Sequence, residues 1–93
     1  MAVGFYFAAD SMTPEQYHSV LSGLEAAGQS APAGRLYHCA LRQAGSDALH
    51  IFDIWESPEA FAAFGATLVP LLFEAGLEPI QPRVSEIHNV IAG

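Results

Sequence analysis

The sequence has no lysine, one cysteine and three cations, all of them arginines: Arg35, Arg42 and Arg83. Each shortage closes a class of function. Without lysine there is no Schiff-base nucleophile, and that route to pyridoxal phosphate or aldolase-type chemistry is excluded. The formal net charge is −7. That sign repels a phosphate backbone and an anionic membrane surface, so no nucleic-acid partner and no membrane partner is expected. A single cysteine closes no internal disulfide. Cys39 lies in an apolar run and reads as a buried, reduced core thiol, which suits a cytoplasmic protein. No apolar stretch is long enough to span a bilayer. The opening residues, Met1-Ala2-Val3-Gly4-Phe5, lack the basic region and apolar core of a secretory signal. There is no glycine-rich phosphate loop, Rossmann fingerprint or nucleophile elbow. His50 could pair with His38 in a metal site, but no His, Cys and carboxylate cluster has ligand spacing. The expectation is therefore no metal and no cofactor.

What is present fits one domain spanning 1–93. Residues 2–9 are apolar and aromatic and suit a buried strand. Thr13-Pro14-Glu15-Gln16 is a helix start, with Thr13 as cap, Pro14 in the first turn and Gln16 completing a capping box. Tyr17, Val20, Leu21, Leu24 and Ala27 follow as one apolar stripe, and Gly28 supplies a stop. His18 falls on the polar flank. Residues 35–42 and 48–56 read as two strands joined by a short turn around Gly45, hence a hairpin. Ser57-Pro58-Glu59 starts a second helix, whose broad apolar face carries Phe61, Phe64, Leu68, Leu71, Leu72 and Ala75. Pro70 removes a backbone donor inside it and is expected to kink or divide it. Residues 83–91 read as the last strand.

The order β-α-β-β-α-β is the ferredoxin-like, split βαβ arrangement. Right-handed crossovers place both helices on one face of a four-stranded antiparallel sheet. In the third strand, Leu49, Ile51, Asp53 and Trp55 alternate with His50, Phe52 and Ile54, and both faces are largely apolar. A sheet with one face in water shows polar alternation instead. The helices cover one face, so a second copy is expected on the other. A domain this small also gains from the extra burial of a homodimer.

Four side chains stand out chemically. Asp53 is a carboxylate in apolar surroundings and needs a partner, either Arg35 or His88 in a structural network, or a pocket role as a base. His38 and His88 are strand histidines, each readable as a satisfied core residue or as a general base. Trp55, the only tryptophan, is a core anchor or a pocket wall with one N–H to donate. The hairpin register decides whether His38 shares the Trp55 face or the His50 face, because a one-residue slip exchanges them.

Met12-Thr13-Pro14-Glu15-Gln16-Tyr17, Gly34-Arg35-Leu36-Tyr37-His38, Asp53-Ile54-Trp55-Glu56-Ser57-Pro58-Glu59-Ala60-Phe61 and Ile87-His88-Asn89-Val90 together give a pattern that spans nearly the whole chain. It resembles the dimeric α+β barrel superfamily, in particular the antibiotic biosynthesis monooxygenase domains. The strand-Trp-Glu-Ser-helix junction is the most specific part. The resemblance implies a dimeric α+β barrel with a ligand pocket between sheet and helices, and a tryptophan at the end of the third strand, here Trp55. It implies a cofactor-independent monooxygenase acting on a phenolic or polycyclic aromatic molecule. Tyr6 or Phe5, Trp55, Phe61, Phe64 and Leu68 would then line the pocket, and His38 or His88, assisted by Asp53, would take the phenolic proton. Two alternatives stay beside it. One is a non-catalytic protein that binds a small apolar ligand. The other is a haem-binding or haem-degrading protein. Haem-degrading members hold iron through a histidine on the second helix, and Phe61-Ala62-Ala63-Phe64 has none. The fold hosts unrelated activities. A cavity of at least about 300 Å³, the lower end for ligand pockets, touching Asp53 and a histidine is what the pocket readings require.

Overall fold

A computed structural model describes residues 1–91. The elements are β1 (Val3–Phe7), α1 (Pro14–Ala26), β2 (Arg35–Arg42), β3 (Leu49–Trp55), α2 (Pro58–Glu74) and β4 (Arg83–Glu86). All strand pairs are antiparallel and the sheet order is β2-β3-β1-β4. This is the ferredoxin-like α+β arrangement that the element order predicts.

Local chemistry sets the helix ends. The Thr13 hydroxyl accepts from the Gln16 N–H at 3.1 Å, and Gln16 Oε1 accepts from the Thr13 N–H at 2.9 Å. These are the two reciprocal bonds of a capping box. The Gln16 amide also donates to the Ala75 carbonyl at 3.1 Å, tying the start of α1 to the end of α2. Ser57 caps α2 by accepting from the Ala60 N–H at 3.1 Å. Past each helix, a glycine takes the left-handed conformation that a side chain resists: Gly28 at φ 73° and Gly76 at φ 81°. Pro70 lies within α2 without dividing it. Its ring is exposed, and the helix continues one further turn. No helix among the described residues is long and apolar enough to cross a membrane.

The core lies between the sheet and the helices. Val3 and Phe5 from β1, Leu49 and Trp55 from β3, Val20 and Leu24 from α1, and Phe64 from α2 are buried there. Phe5 stacks on Phe61 with ring centroids 4.5 Å apart, and Trp55 meets Phe64 at 5.3 Å. The opposite face of the sheet carries Tyr6, His50, Phe52 and Ile54.

Three expectations need correction. The last strand ends at Glu86 rather than running to residue 91. β4 pairs only with β1, and the Ile87 N–H to Ala2 carbonyl bond, 3.1 Å, is the last link of that ladder. His88 therefore stands exposed beyond the strand. Cys39 is not a buried core thiol. It pairs with Phe52 on the face away from the helices and is half-buried. Ala27 is the exposed C-cap of α1 rather than part of its buried stripe.

Candidate functional site

The hairpin register follows from one irregularity. Arg35 pairs with Trp55, but Tyr37 pairs with Ile54, so β2 carries one extra residue at this point. Such a bulge exchanges the faces of everything after it. Arg35 and His38, of opposite parity in sequence, consequently both face the helices. His38 pairs across to Asp53, which lies on the same face as Trp55.

The result is a linear set of hydrogen bonds. Trp55 Nε1–H donates to Asp53 Oδ2 at 3.2 Å. Asp53 Oδ1 lies 2.6 Å from His38 Nδ1, and His38 Nε2 lies 2.7 Å from the Tyr17 hydroxyl. Asp53 is buried, at 5% exposure. With a carboxylate that only accepts and a neutral imidazole, the arrangement that satisfies both bonds has His38 Nδ1–H donating to Asp53 and Nε2 accepting from the Tyr17 O–H. The Tyr17 and His38 rings lie nearly parallel, at 11°. Burial pushes the Tyr17 hydroxyl above its ordinary pKa of 10.0; the nearby Arg35 charge pulls it down, and Asp53 and Cys39 add to the rise. At neutral pH Tyr17 is therefore a neutral phenol.

These groups form the polar end of a cavity of about 360 Å³ between the sheet and the helices. Its walls are otherwise mainly apolar, with Phe7, Leu21, Ile51, Phe61, Phe64 and Leu68 among them, and the loop between α2 and β4 supplies one side through Leu77 to Pro82. Tyr17, Arg35, His38 and Asp53 all reach it. Arg35 also donates to the Ser30 carbonyl at 3.0 Å, which pins its guanidinium at the cavity edge.

The residues expected from sequence fall into two groups. His38, Asp53, Phe61, Phe64 and Leu68 come together around the cavity. The others do not line it. Trp55 has 0% exposure and lies behind Asp53, with its N–H committed to the carboxylate. Phe5 is buried in the core beneath Phe61. Tyr6 points to the opposite face, where its hydroxyl bonds His50 Nδ1 at 2.7 Å. His88 is exposed beyond the end of β4, and Asp53 pairs with His38 and Trp55 rather than with His88. His50 and His38 lie on opposite faces and make no metal pair, and no cluster of three or more potential ligands occurs among the described residues. His18 is exposed, as its flank position implies. Tyr17 is the member that pattern reading misses, since it counts as one more apolar stripe position. Its signal is chemical: a tyrosine on a buried helix face needs a partner for its hydroxyl.

No protein-family model matches the sequence, and no curated protein does. The likeness is structural. SnoaB, a cofactor-independent oxygenase from Streptomyces nogalater, superposes with a TM-score of 0.62 at 18% identity, covering 99% of this chain and 95% of that one. Rv0793 from Mycobacterium tuberculosis gives 0.53 at 17% identity, over 98% and 95%. A Chloroflexus aurantiacus protein assigned to the antibiotic biosynthesis monooxygenases gives 0.56 at 19%, over 99% and 94%. The chain therefore shares the fold of these proteins over nearly its whole length.

Proposed function

We propose that this protein is a cofactor-independent monooxygenase acting on a phenolic aromatic molecule, and that it works as a homodimer in a reducing, cytoplasmic setting. One observation carries the reading: His38, oriented by Asp53, sits at the polar end of an otherwise apolar cavity of about 360 Å³. Sharing a fold with SnoaB adds support at the level of architecture.

The chemistry needs few groups. The apolar walls take a flat ring system. Loss of the phenolic proton to the His38–Asp53 pair, a general-base step, makes the ring electron-rich. The anion reduces dioxygen, and a carbon–oxygen bond forms. With an anthrone-type CH₂ centre the balance is R₂CH₂ + O₂ → R₂C=O + H₂O. The substrate supplies all the electrons, and the proton held on His38 returns to the peroxide before water leaves.

Oxygen uptake with a panel of anthrones and hydroquinones tests this. Uptake by the wild-type protein, lost in His38→Gln, is the expected result. Binding without any uptake would identify a ligand-binding protein instead, and a Soret shift on titration with haemin would identify a haem protein.

A further inference from the structure

We propose that Tyr17, not His38, is the group that meets the substrate hydroxyl, and that it is a catalytic residue relaying the proton to His38. The inference rests on reading the cavity as a phenol site.

The geometry leaves His38 no free nitrogen. Nδ1 is taken by Asp53 at 2.6 Å and Nε2 by the Tyr17 hydroxyl at 2.7 Å. A phenol in the cavity reaches His38 only by expelling Tyr17 or by working through it. Tyr17 is itself a cavity residue. As a donor to His38 it keeps acceptor capacity on its oxygen for a second partner. It is set to accept from the substrate O–H while donating to Nε2. Expelling it would break its hydrogen bond to His38 Nε2; relaying through it leaves every partner satisfied.

The step balances. The substrate O–H bond breaks and its proton joins the Tyr17 oxygen. The proton already on Tyr17 moves to His38 Nε2. Tyr17 is neutral before and after, the substrate becomes a phenolate, and His38 becomes an imidazolium beside Asp53. Arg35, at the same end of the cavity, adds positive charge where the anion forms. The raised pKa of Tyr17 agrees with this role, because a neutral phenol hands on protons without accumulating charge. Of the other ionisable groups near it, His18 is exposed to solvent and Cys39 lies on the far face of the sheet.

The probe is para-nitrophenol, whose phenolate is coloured and whose phenol is not. Below its solution pKa, the wild-type protein should bind it as phenolate. Tyr17→Phe keeps the ring against His38 and removes only the oxygen. It should bind the probe with similar affinity but with the phenolate-to-phenol ratio reduced at least about tenfold, one pKa unit. His38→Gln should behave alike. With an anthrone that is turned over, Tyr17→Phe should lower kcat about 10²-fold with KM little changed. A wild-type phenolate ratio in Tyr17→Phe overturns the relay and leaves the reading of the cavity standing. No binding, or only neutral binding, by the wild type overturns both. A readout needing no variant is NMR of the wild-type complex. The relay keeps ring contacts between Tyr17 and His38 when the probe binds, whereas their replacement by contacts from probe to His38 overturns it.

Discussion

Asp53 accepts two N–H groups from side chains that differ in kind: the indole of a core tryptophan and the imidazole of a cavity histidine. Packing and chemistry thus meet at one carboxylate. Asp53→Asn preserves size but turns one oxygen into an NH₂ group, which must face one of the two donors. The expected cost is about 1–3 kcal/mol, that of leaving a buried donor unmade, measured by urea unfolding. Tyr17 gives a second residue-scale expectation. Its native pKa is raised above the ordinary 10.0, so in that interval the unfolded chain holds fewer protons than the folded one. Its contribution is complete below pH 10 and is lost as pH climbs through the native value. Alkaline titration of stability should show this fall, and Tyr17→Phe should remove it.

At the scale of elements, Gln16 does double duty. It completes the capping box of α1 and reaches the Ala75 carbonyl at the end of α2. Gln16→Ala removes these two side-chain hydrogen bonds and leaves the Thr13 cap on the backbone N–H, so thermal unfolding should show a loss of about 1–2 kcal/mol. The caps were legible in the sequence because they depend on residues three apart. So was the stop at Gly28, which answers a local backbone demand. The range of β2 was legible for the same reason, since residues 35–42 run up to the Gly45 turn. What was not legible depends on a partner strand. The extra residue between Arg35 and Tyr37 shows only against Trp55 and Ile54, so the face of His38 stayed open. The end of β4 is set by where β1 starts, not by the apolar residues Val90 and Ile91 that imitate a longer strand. Tyr17 hid in the α1 stripe, because periodicity records which side a residue faces and not what its hydroxyl finds there.

At the scale of the whole molecule, the sheet face opposite the helices carries exposed apolar side chains. Tyr37 and Leu41 of β2 are 53% and 40% exposed on it, and their cross-strand partners Ile54 and His50 continue the same face toward Tyr6. Exposed apolar side chains on a sheet face mark an interaction surface, and the proposed homodimer would cover them by sheet-on-sheet contact across a two-fold axis. Light scattering at micromolar concentration should give the dimer mass, and Tyr37→Glu should shift it toward the monomer. Wild-type protein that runs as a monomer would remove this part of the account. The cavity lies on the other side of the sheet, so its polar end is complete within one chain: Tyr17, Arg35, His38 and Asp53 all come from the same fold unit. In the proposed reaction, dioxygen and the substrate react in this cavity with no cofactor. The most direct measurement supplies isotopically heavy dioxygen to the purified protein, in the presence of a metal chelator and an anthrone, and follows the label by mass spectrometry. One labelled oxygen atom is expected in the ketone product and the other in water. An anthrone that binds and is recovered unchanged would rule the reaction out.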